Sequence, residues 1–148
     1  MTDRQDELVR AAAEARQTAY SPYSRFRVGA AVLTSTGRIY AGCNVENVSY
    51  GLTVCAERVA VWKAVSEGER EIEAVAVVVE GSPAFPCGAC LQVIQQFAAE
   101  SGTTIIAAAT DGRTERRQLS ECLPYPFSSF DPEGRAGPSD DDSAKHPA

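Results

Sequence analysis

Apolar residues recur at helical spacing over residues 6–20, where Leu8, Ala12, Ala15 and Ala19 share one face of an amphipathic helix. The Ser21-Pro22-Tyr23-Ser24 run breaks it. Two strand-like runs follow, Arg27 to Leu33 and Arg38 to Val45, joined by the hairpin-length turn Thr34-Ser35-Thr36-Gly37. Residues 44–51 read as a loop. Thr53 is a candidate N-cap for a second helix reaching about Glu67, before Gly68. Ala74 to Val79 is apolar throughout, the mark of a strand covered on both faces. Gly81 to Pro86 is a loop, and a third helix runs from about Cys87 to Glu100. Thr103 to Ala109 is a further apolar strand, and Asp111-Gly112 a turn. Glu115 to Leu119 is a short last strand, and a helical turn at residues 120–123 stops at Pro124. The order α-β-β-α-β-α-β-β predicts an α/β domain with a mixed sheet of about five strands and helices on both faces. The strand–helix–strand steps predict parallel neighbours and the hairpin an antiparallel pair.

With 148 residues the chain has room for one domain. Residues 1–130 carry the pattern. Residues 131–148 hold five carboxylates, two bases, three prolines and two glycines, and read as a solvated, disordered acidic tail. The net charge of −6 argues against a partner gripped through its phosphates, because nucleic-acid binders need dense Lys and Arg. It also gives no attraction to an anionic membrane, and no apolar stretch is long enough for a signal or a span. The expected compartment is the cytoplasm. Thiols stay reduced there, so the five cysteines read as core residues or metal ligands rather than disulfides.

Histidine is the most restrictive count. The single His146 lies in the tail, so a mechanism built on a positioned imidazole is all but excluded. Proton transfer then falls to a carboxylate, a thiolate or a metal-bound water. Two segments answer that need: Cys55-Ala56-Glu57-Arg58, and 32 residues later Pro86-Cys87-Gly88-Ala89-Cys90. Both begin predicted helices, where free N–H groups and a partial positive charge stabilise thiolates. Cys87 and Cys90 point the same way from one turn, and Cys55 from a parallel helix supplies a third corner of a tetrahedron. A thiolate set of this kind suits Zn²⁺, and three protein ligands leave the fourth position to water, as in catalytic sites. Glu57, two residues after a ligand, is placed to move that water's proton. Three thiolates leave the ion with net negative charge, which the Arg58 guanidinium can offset by donating to sulfur. The paired pattern is that of the zinc-dependent deaminases in their three-cysteine form. Cys43 and Cys122 read as small buried hydrophobes; either one as a fourth ligand would make the ion structural.

With these residues in place, the sequence resembles the cytidine deaminase family in its short, homotetrameric form, over about residues 6–130. The resemblance extends to Ala19-Tyr20-Ser21-Pro22-Tyr23-Ser24-Arg25-Phe26, to Gly42-Cys43-Asn44-Val45-Glu46-Asn47 with Tyr50-Gly51-Leu52, and to Leu123-Pro124-Tyr125-Pro126-Phe127-Ser128. It implies a three-layer fold and one Zn²⁺ per subunit on Cys55, Cys87 and Cys90, with Glu57 as proton shuttle. Asn44 and Glu46 would bond ribose hydroxyls, Phe26 would pack on the pyrimidine, and the Ala56 backbone would help hold the base. Phe127, with residues around Val48 and Tyr50, would reach a neighbouring subunit's site, so that active sites lie at interfaces of a homotetramer. The implied activity is deamination of cytidine and 2′-deoxycytidine in pyrimidine salvage. The family usually carries Arg after its last zinc cysteine; Leu91 stands there, which bears on tuning of the ion rather than on its binding. Two other readings are a deaminase of a cytosine-containing antibiotic such as blasticidin S, and a structural zinc module without catalysis.

Overall fold

The computed structural model describes residues 2–130, and the predicted acidic tail lies outside the described residues. Helix α1 (Asp3–Arg16) starts at Thr2, whose side chain accepts from the Gln5 N–H while the Gln5 side chain accepts from the Thr2 N–H. Leu8 and Ala12 form its buried stripe. Strands β1 (Gly29–Thr34) and β2 (Ile39–Cys43) form the expected hairpin. Gly37 in its turn has φ +83°, a conformation that favours glycine. A 3₁₀ turn at Tyr50–Leu52 leads to α2 (Ala56–Ser66), then β3 (Ile72–Val79), α3 (Gly88–Gln96), β4 (Thr104–Ala109), β5 (Thr114–Gln118) and the short α4 (Leu119–Cys122).

The five strands lie in the order β2-β1-β3-β4-β5. Only β3 and β4 are parallel neighbours. The expectation of parallel neighbours across α2 needs correcting: β1 pairs antiparallel with both β2 and β3 and so separates them. The sheet is covered on both faces, as the unbroken apolar runs predict. On one face Leu8 and Ala12 pack on Ala31, Leu33, Ala74, Ala76 and Val78. On the other, Ala56, Ala60, Val61, Leu91 and Ile94 pack on Val32, Val75 and Val77. Alternation along β1 and β3 therefore sorts residues between two cores rather than between core and water. Edge strand β5 is fully exposed, and Glu115, Arg116 and Arg117 guard it against pairing with another chain.

Several helix ends differ from the sequence pattern. Helix α1 begins at Asp3, capped by Thr2, rather than at residue 6. Helix α3 stops at Gln96 rather than about Glu100, and Ala98 beyond it bridges Ile72. Two further ends share one cause. Tyr20 and Val54 both pair through their backbones with Val45. The first pairing ends α1 at Arg16 instead of near residue 20. The second holds Val54 extended, so α2 begins two residues later than Thr53 predicts and Cys55 is its N-cap. The Thr53 hydroxyl instead accepts the Asn47 N–H at 3.1 Å.

Helix α1 crosses β1 at Gly29, where a Cβ would lie 1.9 Å from the Ala12 carbonyl oxygen and 2.6 Å from the Arg16 nitrogen. Both are backbone atoms, so no side chain can yield. Gly29→Ala is expected to lower stability by about 3 kcal/mol or more, measured by denaturant unfolding. A loss below about 1 kcal/mol would show that α1 can shift on the sheet.

Candidate active site

Cys55 and Cys87 are the N-caps of α2 and α3, and Cys90 lies in the first turn of α3. Both caps have extended backbone, with ψ 152° and 166°, and neither sulfur makes a capping hydrogen bond. The sulfurs are thus free of the helices they start. The two helices lie side by side on one sheet face, and this brings the three Sγ atoms within 4.8 Å of one another. Tetrahedral Zn–S bonds of about 2.3 Å would place sulfurs about 3.8 Å apart, so the ion needs only a small closure. Among the described residues this is a three-residue group; Cys43 and Cys122 stand outside it. Both are half-buried rather than fully buried. Cys43 accepts from the Thr18 hydroxyl, and Cys122 packs against the core.

A guanidinium and a carboxyl group lie against the sulfurs. Arg58 Nη2 donates to Cys55 Sγ at 3.3 Å, while its buried Nε has no hydrogen-bond partner among the described residues. A donor left over on a guanidinium already bound to sulfur fits a ligand set that carries net negative charge. A hydrogen bond from the Cys90 thiol, with help from Arg58, brings the Cys55 pKa down to about 5. The same contact with Cys55, together with burial, pushes Cys90 up, so Cys55 is the first of the pair to ionise. Glu57 is only 5% exposed, and Cys90 Sγ lies 3.8 Å from its Oε2. Burial raises the Glu57 carboxyl above its ordinary value, and the Cys55 thiolate adds to the rise. A carboxyl that holds its proton more tightly than usual, facing a metal-ligand set, is suited to general acid and base work. Leu91, where the family usually has Arg, is buried in the core beneath α3.

The second part of the site is tied to the first through Val45. Its pairing with Val54, at 3.0 and 2.9 Å, sets Asn44 and Glu46 beside the strand that leads into Cys55. Asn44 is buried and bridges the Phe26 loop: its Nδ2 donates to the Phe26 carbonyl at 2.7 Å and its Oδ1 accepts from the Val28 N–H at 2.9 Å. One donor and one acceptor position of the amide remain. Glu46 Oε1 accepts from the N–H groups of Tyr23 and Ser24, and Oε2 from the Ser24 hydroxyl. Glu46, Tyr50, Tyr23, Ser24 and Thr53 line a cleft of about 310 Å³. The Tyr23 and Tyr50 rings meet edge to face, with centroids 5.9 Å apart. Phe26 and Tyr50 are 48% and 75% exposed. Phe127, 62% exposed, lies elsewhere: Gln92 of α3 donates to its carbonyl and its ring contacts Phe130. Read without the resemblance, Phe26 and Phe127 would be core residues by default, and neither is.

The sequence offers neither Ser24 nor Thr53 as a site residue, yet both line the cleft beside Glu46. Ser24 sits in a turn that reads only as a helix breaker, and its acidic partner is 22 residues away. Thr53 carries a capping signal that the Val45 pairing overrides.

Known proteins share this architecture and these motifs. A family model described as the cytidine and deoxycytidylate deaminase zinc-binding region matches residues 2–107. A cytidine deaminase from Halalkalibacterium halodurans is 46% identical over 125 residues, spanning 84% of this chain and 94% of the relative. One from Sporosarcina psychrophila is 45% identical over 127 residues, spanning 85% and 93%. The crystal structure of a cytidine deaminase from Burkholderia pseudomallei matches with a TM-score of 0.79 at 42% identity, covering 86% of this chain and 100% of that one. With three sulfurs at two helix starts, a buried glutamate between them and similarity running well past the metal segments, the chain belongs to the cytidine and deoxycytidylate deaminase family.

Proposed function

We propose that the chain catalyses hydrolytic deamination of cytidine and 2′-deoxycytidine to uridine and 2′-deoxyuridine with release of ammonia. Cys55, Cys87 and Cys90 would hold one Zn²⁺ per subunit. The observation that carries the reading is Glu57, a buried carboxyl with a raised pKa set against the three-sulfur group. When bound, the ion supplies the Lewis acidity that makes water a competent nucleophile near neutral pH. Glu57 takes the proton that the attacking water gives up and delivers it to N3 of the pyrimidine as C4 is attacked. It then helps to protonate the departing amino group, so one carboxyl serves as base and acid in turn. Arg58, bonded to Cys55, offsets the charge of the thiolates.

The substrate is held by the chain's own polar groups. Asn44 offers one donor and one acceptor to the sugar, and Glu46 offers an acceptor. Phe26, exposed beside them, packs on the base. Ala56 is the first helical residue of α2, and its N–H has no acceptor within the helix, so its backbone is available to the base. A sugar site built on an ionised carboxylate repels phosphate, which favours nucleosides over nucleotides and strands. Val48, Tyr50, Leu52, Trp62 and Phe127 are large exposed apolar residues, and their burial between copies would support a homotetramer with sites completed across interfaces. Three reduced cysteines are what the site requires, which supports a cytoplasmic enzyme, and nucleoside substrates support a role in pyrimidine salvage. No helix among the described residues is long and apolar enough to cross a membrane.

The test is ammonia release from cytidine, 2′-deoxycytidine, CMP, single-stranded DNA and blasticidin S under matched conditions. Both nucleosides should turn over, with kcat/KM at least about 100-fold above that for CMP and none measurable on DNA. Preference for CMP, for a strand or for the antibiotic would overturn the assignment.

A further inference from the structure

We propose that Ser24 is a positioning residue that sets Glu46 and Phe26 as one unit for gripping the sugar and the base. The inference rests on the reading of Glu46 as the sugar contact given above. The turn that carries Ser24 is closed by the Arg25 N–H donating to the Ser21 carbonyl at 2.9 Å, and Arg25 adopts φ 59°, a left-handed conformation uncommon for a residue with a side chain. This turn brings the N–H groups of Tyr23 and Ser24 onto the same oxygen of Glu46, at 3.0 and 3.1 Å. Two successive N–H groups converging on one oxygen form a small anion cradle.

The Ser24 hydroxyl completes it and is used in both directions. It donates to Glu46 Oε2 at 2.5 Å and accepts from the Phe26 N–H at 3.0 Å. A carboxylate has about four acceptor positions, and these contacts fill three, two on Oε1 and one on Oε2. One position on Oε2 remains for a ligand, and Glu46 lines the cleft beside Tyr50. The same hydroxyl, ahead of the two backbone N–H groups, holds the Glu46 carboxyl below its ordinary value, so it meets the sugar as an acceptor only. Asn44 ties the Phe26 carbonyl from the other side. Removing one oxygen atom therefore loosens the carboxylate and frees the N–H of the residue that carries the ring.

The experiment measures kcat and KM for Ser24→Ala, Ser24→Thr, Glu46→Gln and the Ser24→Ala/Glu46→Gln double variant. Substrates are cytidine and 2′,3′-dideoxycytidine, whose sugar lacks the 2′- and 3′-hydroxyls. Ser24→Ala is expected to raise KM for cytidine about tenfold with kcat within about twofold, the loss of one charge-assisted hydrogen bond. The rise on dideoxycytidine should be clearly smaller, and Ser24→Thr, which keeps the hydroxyl, should restore KM to within about threefold. In the Glu46→Gln background the Ser24→Ala effect on cytidine should shrink to about twofold or less. Equal losses on both substrates, a fall in kcat at unchanged KM, or full additivity would overturn the role of Ser24. If Glu46→Gln itself fails to separate cytidine from dideoxycytidine, the sugar reading falls and takes this inference with it. If Glu46→Gln separates them and Ser24→Ala leaves KM unchanged, only the role of Ser24 falls.

Discussion

Glu57→Gln should lower cytidine turnover by about 10³-fold or more, at the upper end of what a general acid–base group contributes. It should do so while keeping the metal. The glutamine fills the same buried space beside Cys90 but cannot accept and return a proton, so chemistry is removed with the geometry retained. The substitution also has an expected effect on stability. The Glu57 carboxyl is raised in the fold, chiefly by burial. As pH rises past the ordinary carboxyl value, the unfolded chain ionises while the folded one resists. Glu57 therefore costs the metal-free protein stability above that pH, increasingly until its raised pKa is passed, and costs nothing below it. Metal-free Glu57→Gln should melt at or above the wild-type temperature near pH 7, and the two should converge near pH 4. A variant that deaminates at the wild-type rate would remove Glu57 from the mechanism. A structural zinc module would release no ammonia with either residue.

Cys87→Ala is the second large effect. Cys87 is exposed, and its sulfur makes no capping bond, so its loss tests ligation with little disturbance of packing. Metal content measured on purified protein should fall from one per chain to a small fraction. Turnover should drop by more than about 100-fold, beyond the effect typical of losing a group that only orients a ligand. Metal-free melting curves of variant and wild type should superpose. Retention of a full complement of tightly held metal would show that the ion is bound elsewhere.

Much of this was legible in the sequence because the signals are local. The sulfurs and Glu57 lie within two short segments at helix starts, and the apolar runs of β3 and β4 announce strands covered on both faces. What was not legible depends on pairing between distant backbones. Val45 takes both Tyr20 and Val54, which shortens α1 and delays α2, and nothing near Tyr20 or Thr53 in sequence signals it. The place of β1 between β2 and β3 is likewise set by packing of whole elements. Nothing in the sequence around Asn44 shows that its side chain is a buried brace between the Phe26 loop and the end of β2. Ser24 reads as part of a breaker until its hydroxyl is seen on Glu46. These same non-local contacts join Asn44 and Glu46 to the segment that carries Cys55 and Glu57.

The most direct measurement is ammonia release from cytidine alongside metal content, taken on the protein as purified, after a chelator strong enough to strip Zn²⁺, and after zinc is returned. Turnover should follow zinc content in proportion, reaching its full value at one ion per chain and vanishing at none. Undiminished turnover by metal-free protein, or no ammonia from protein with a full complement of zinc, would contradict the account.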